Sequence, residues 1–227
     1  MFKLAYQRSK LEQVLEKAIG GANEIVKVNQ ALMTKLPKTG LDFRGRPTEP
    51  INLVLLGEAK QIQQAFFAAD WQGAVPITAA SWARAFWTGL RDKPYPTGPV
   101  TPYYIHTSPQ DLSYQQQTST KSFRQRHHVR FWETNLRLAS GAKLWLGMAS
   151  YDKSLKLFNG FKIGYHHIDP DLDAERDLIA KDLLKQDGKE LGRYDLGPMK
   201  GKNDHGDAYF TDGKAVVIDL TGVQVEA

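Results

Sequence analysis

Four prolines within nine residues, Pro94, Pro96, Pro99 and Pro102, divide the chain into parts with different hydrophobic periods. Proline fixes its own φ and lacks the amide hydrogen a helix needs, so no helix crosses this stretch. Before it, apolar residues recur at helical spacing. Ala59, Ile62, Ala65, Phe66 and Ala69 predict a helix over 58–70. Trp82, Phe86 and Trp87 predict a second helix, capped by Thr78 and ending near Leu90, with its aromatic stripe turned to the core. After the prolines the pattern changes to short strands, at 102–107, 112–117, 123–132, 143–151 and 161–165. A helix follows over 170–185, and Asp212-Gly213 between two β-rich runs signals a hairpin. Upstream, Ile51–Leu56 is aliphatic except for Asn52 and bounded by Pro50 and Gly57, the pattern of a strand buried on both faces. This order indicates an α+β fold, a mainly antiparallel or mixed sheet packed with several helices.

Residues 48–227 read as the main domain and 1–47 as a helical N-terminal extension with a linker. Leu11, Val14, Leu15 and Ala18 share a face of a helix over 9–19 that Gly20-Gly21 stops, and 22–34 adds a second helix. Pro37, Pro47 and Pro50 make 36–50 an ordered linker. The absence of cysteine excludes a disulfide scaffold, a zinc ribbon, an iron–sulfur site and a thiol nucleophile. No apolar run approaches the roughly 18 residues of a membrane span, and Met1–Lys10 lacks the apolar core of a secretory signal. A soluble, cytoplasmic protein is expected, with room for peripheral contact at the inner membrane.

The net charge of +5 is unevenly laid out. Residues 121–165 hold 9 basic and 2 acidic side chains, and residues 166–227 hold 8 and 14. The layout predicts that the basic block faces the acidic one within a single fold, leaving a small anion at the seam. Nucleic acid ranks last among partners, because the acidic block cancels much of the long-range field.

Two motifs carry candidate chemistry. In the predicted strand 123–132, alternate residues face opposite ways. Phe123, Gln125, His127, Val129 and Phe131 share one face, and Arg124, Arg126, His128, Arg130 and Trp132 the other. Three guanidiniums in a row, the first two about 6.6–6.8 Å apart and the third about twice that further on, need anions to answer them, from the acidic block or from a bound phosphate. In the second motif, His166-His167-Ile168-Asp169-Pro170-Asp171-Leu172-Asp173, Asp169 suits a helix N-cap and Pro170 the first helical position. Helix formation has no need of the two histidines. Antiparallel pairing brings one histidine of each pair together, with Asp169 or Asp173 beside them. Three readings stay open: structural histidines, a divalent-metal site of His128, His166, Asp169 and Asp173, and metal-free acid–base work with Asp169 fixing a tautomer. Signatures for a hydrolase elbow, a dinucleotide fold, a P-loop and an EF-hand are absent.

Pro50-Ile51-Asn52-Leu53-Val54-Leu55-Leu56-Gly57, then Arg91 to Pro102, then Arg126-His127-His128-Val129-Arg130-Phe131-Trp132, then His166-His167-Ile168-Asp169-Pro170-Asp171 through Asp173-Ala174-Glu175-Arg176-Asp177 resemble, in this order, the LssY-like C-terminal domain family over roughly 48–190. In that family the domain often follows membrane segments, including ones that look like DedA-type or phosphatidic-acid-phosphatase modules, and its name comes from a bacterial type I secretion locus. The resemblance points to Arg126, His127, His128, Arg130, His166, His167, Asp169, Asp173, Glu175 and Arg176. The leading expectation is a hydrolase acting on a phosphoester or other anionic substrate. His127, His128, His166, His167 and Asp169 are its catalytic candidates. Arg124, Arg126, Arg130 and Arg176 are its anion-binding candidates. The rival expectation is a binding module for a small anion or a phospholipid headgroup, accessory to membrane or secretion proteins.

Overall fold

The computed structural model describes residues 25–75, 78–91, 93, 95–118, 125–159 and 162–225, and the helix expected over 9–19 lies outside them. In chain order the elements are α1 (Gln30–Met33), β1 (Thr39–Leu41), β2 (Pro47–Pro50), β3 (Leu53–Leu56), α2 (Ala59–Ala68), β4 (Gln72–Gly73) and α3 (Ala79–Leu90). There follow β5 (Tyr104–Ile105), β6 (Ser108–Pro109), β7 (Leu112–Gln117), β8 (Arg126–Arg137), β9 (Lys143–Asn159), β10 (Lys162–Ile168) and α4 (Leu172–Leu184). The chain closes with β11 (Lys189–Asp195), β12 (Lys200–Lys202), β13 (Ala208–Phe210) and β14 (Lys214–Asp219).

The main sheet runs in the order β11-β14-β3-β9-β8-β7-β4, and β10 pairs with the far half of β9. All its pairings are antiparallel except β14 with β3. The aliphatic run predicted to be buried on both faces is β3, with all four residues buried at the centre of the sheet. Its alternate side chains feed two cores. Leu53 and Leu55 join Val129, Phe131, Trp145, Val216 and Ile218 under α2 and α4. Val54 and Leu56 join Trp132, Leu146, Met148 and Val217 on the other face, with Tyr103, Ile105, Leu32, Met33 and Leu36. Three fully buried tryptophans keep their indole N–H groups bonded, Trp71 to Asp182, Trp132 to the Ser108 carbonyl and Trp145 to the Gly57 carbonyl. Gly147 sits where β8, β9 and β3 meet. A Cβ there would collide with the Phe131 ring and Leu53.

Several expectations change. Residues 36–50 are not a linker but the hairpin β1–β2 of a second sheet, ordered β2-β1-β5-β6. Pro47 and Pro50 are tolerated there because β2 is an edge strand. Of the helix expected over 22–34 only the four residues of α1 form among the described ones, and Ile25 instead bridges to Arg137. The Asp212-Gly213 turn makes no hairpin. β13 pairs with β12, whereas β14 joins the main sheet, so the turn carries the chain between sheets. Asp169 is not the N-cap of the long helix. Asp171 is, accepting from the amides of Asp173 and Ala174. Trp87 faces away from the core, at 53% exposure.

Candidate functional site

The period-2 reading of 123–132 places Arg126, His128 and Arg130 on one face, and in β8 they line a common cavity of about 370 Å³. Register supplies the acid between them. Arg126 pairs across the ladder with Asp152 of β9, and β10 flanks β9 on its other side at that level. Asp152 therefore reaches residues of both neighbouring strands. Arg126 Nε donates to Asp152 Oδ2 at 2.9 Å, His128 Nε2 lies 2.8 Å from Oδ1, and His166 Nδ1 is 3.3 Å from Oδ2. One histidine from each pair thus reaches the same carboxylate. The shared carboxylate is Asp152 rather than Asp169 or Asp173.

The protonation of this group follows from donor chemistry. Arginine has no acceptor, so Arg130 Nη1, 3.2 Å from His128 Nδ1, must donate to it. Nδ1 is then bare and the ring proton sits on Nε2, facing Asp152. Burial pushes His128 down to about 4, with Arg130 adding to the fall and Asp152 opposing it, so the ring is neutral at pH 7. For Asp152, burial acts upward, but His128, His166 and Arg126 outweigh it and hold the carboxyl well below the usual range. Arg126 also bonds the Pro99 carbonyl and Gln115 Oε1. Arg126, His128 and Asp152 form a closed floor, each at most 5% exposed.

Arg130 differs. Its Nε donates to the Thr101 carbonyl at 3.0 Å, Nη1 faces His128, and the guanidinium carbon lies 4.4 Å from the Tyr103 ring centroid. Nη2 bonds no described residue. Arg44, Arg46, His166 and His205 line the same cavity. The two arginines come from the β1–β2 turn. Asp42 shapes that turn by accepting from the Arg44 and Arg46 amides, and Gly45 supplies the positive φ of 79°. Arg46 is paired with Asp42 at 2.6 Å.

The cavity also holds acids. Glu49, on β2, is 1% exposed. Its Oε1 accepts from Asn203 Nδ2 at 3.2 Å, and Oε2 has no partner. Burial pushes Glu49 up to about 7, against the pull of Arg130 and with a further push from Asp204. Asp204 accepts from the Tyr103 hydroxyl at 2.7 Å.

The remaining candidates lie elsewhere. Arg124 is outside the described residues. His127 points to the helix side of the sheet, where its Nδ1 is 2.6 Å from Glu175 Oε2 and its ring lies against Tyr151. His167 pairs with Asp207 at 2.6 Å. Arg176, 1% exposed, is not among the residues lining the cavity. It is held by Asp173, Asp177, Asp212 and the Lys214 carbonyl. Asp173 is committed to Arg176, Thr211 and the Asp212 amide, and Asp169 to the Asp171 amide. The four proposed metal ligands therefore do not converge, and no group of three or more acids and histidines among the described residues is placed to hold a metal ion. Among the described arginines of the row, Arg126 is answered not by the acidic block but by Asp152, which belongs to the basic block.

Sequence reading missed Glu49, Tyr103, Asp152 and the Arg44–Arg46 turn. The available signals were the Asp42-x-Arg44-Gly45-Arg46 turn chemistry and a β9 continued past Tyr151, which sets Asp152 opposite Arg126.

No helix among the described residues is long and apolar enough to cross a membrane. Comparisons with curated proteins and with solved structures give no match. A family model, LssY C-terminus, matches residues 33–215, which include β1–β2, the β8–β10 ladder and every described residue lining the cavity. The chain belongs to the LssY C-terminus family.

Proposed function

We propose that the cavity binds a small phosphate-bearing anion through Arg130. The observation that carries this is the Nη2 group of an arginine 3% exposed, fixed by three neighbours and bonded to none through that nitrogen. A guanidinium held in place loses little entropy on gripping an oxyanion, and partial desolvation strengthens the bond. Arg44 at the turn adds a second guanidinium to the cavity wall, and Arg46, His166 and His205 line it as further hydrogen-bonding groups for a multiply charged ligand. Titration with inorganic phosphate at low ionic strength tests this by thermal shift. The wild type is expected to be stabilised and Arg130→Gln not. Equal shifts in both proteins, or none in either, reject the site.

A second reading, hydrolysis of a phosphoester in the same cavity, is favoured by Glu49. A carboxyl held at about 7 beside a bound anion is poised to exchange protons at neutral pH. His127 and His128 do not support that role. His128 is locked between Arg130 and Asp152, and His127 is on the opposite face. Release of phosphate from a generic monoester by wild type, abolished in Glu49→Gln, supports turnover. Binding without release leaves the cavity a binding module.

A further inference from the structure

Arg130 and Glu49 line one cavity, both are at most 3% exposed, and each has an atom with no partner, Nη2 on one and Oε2 on the other. Yet the two are not in ion-pair contact. Opposite charges buried together lower their energy by closing on one another, unless other bonds hold them apart. Here they are held. Arg130 is fixed by Thr101, His128 and the Tyr103 ring, and Glu49 by Asn203, whose own side-chain oxygen accepts from the amides of His205 and Asp207. The gap is therefore built into two separate elements, the second sheet and the 203–207 loop on one side and β8 on the other.

An anion alone satisfies only the Arg130 end. It leaves the Glu49 oxygen bare and sets a second negative charge near it. We infer that the natural ligand is dipolar, with a phosphate on Arg130 and an ammonium on Glu49, the class of short aminoalkyl phosphates. This rests on the anion reading above and adds the second recognition point. Asp204, which faces Glu49 from the 203–207 loop, reinforces the preference for a cation at that end; Tyr103 and Tyr209 are further ionisable neighbours of Glu49, and Arg44, Arg46 and His205 line the same cavity. Ammonium binding converts a half-protonated carboxyl into a carboxylate, so affinity for such a ligand should fall as pH drops below about 7.

Calorimetric titration at pH 8 with ethyl phosphate, phosphoethanolamine and ethanolamine tests the inference. Phosphoethanolamine is expected to bind at least ten-fold more tightly than ethyl phosphate, with ethanolamine weakest. Glu49→Gln, close in shape to the wild type, should bring the two phosphates to the same affinity. If wild type binds both phosphates equally, the dipolar ligand is wrong and the anion site stands. If it binds neither, the anion site fails and this inference fails with it. The comparison of ligands on the wild type needs no variant, so a misfolded substitution cannot obscure the answer.

Discussion

Asp152→Asn tests the floor of the cavity. Two donors converge on different oxygens of this carboxylate, Arg126 Nε on Oδ2 and His128 Nε2 on Oδ1. An asparagine retains one acceptor and turns an NH2 group toward the other donor. It also removes the negative charge that compensates Arg126, a residue 5% exposed. Breaking a buried pair by removing one partner costs about 3–5 kcal/mol. At about 2–4 °C per kcal/mol for a domain of this size, Tm should fall by roughly 6–20 °C at pH 7. The pH dependence has a defined sign. The folded carboxyl is held below its unfolded value, so its stabilisation is fully present above about pH 4 and is lost as pH falls through the folded value. The gap between wild type and variant should therefore be widest near neutrality and narrow in acid. Thermal unfolding followed by circular dichroism from pH 7 down to pH 3 measures both. A loss under about 3 °C at pH 7, or a gap that stays constant into acid, would refute the reasoning.

Glu49 has the opposite sign. Its folded value is raised from 4.5 to about 7, so the penalty for ionising it is absent below about 4.5 and fully present above 7. Glu49→Gln should leave stability near unchanged at pH 4 and raise it by roughly 2–4 kcal/mol at pH 8, measured by urea unfolding at both values. His127→Ala removes the partner of the 3% exposed Glu175 on the helix side. A loss of about 1–3 kcal/mol is expected with phosphate binding retained, and loss of binding at unchanged stability would place His127 in the site. Arg176→Met leaves three partly exposed aspartates around an uncharged side chain, so a cost of about 1–3 kcal/mol is expected in thermal unfolding, again with phosphate binding retained.

The parts of the fold that local pattern controls were legible in the sequence. β7 runs over the six residues predicted as a strand, α2 follows its apolar face, and β3 follows from its aliphatic run. Strand alternation also put Arg126, His128 and Arg130 on one face and His127 on the other. What local pattern does not encode is pairing. Asp152 lies in a polar part of β9, where Lys153 and Ser154 hide the strand continuation, and only the register of β8 on β9 gives it a role. The prolines of β2 resembled a linker because the sequence does not reveal an edge position. Glu49 was invisible for the same reason, since its burial depends on Asn203, 154 residues away. Charge blocks misled. Buried Arg126 finds its acid by strand register, not by the sign of the next segment.

The most direct test of the central claim is a crystal structure of the protein grown with phosphate at low ionic strength. Density for the anion is expected in the cavity, bonded to Arg130 Nη2. An empty cavity with phosphate bound only elsewhere would contradict it.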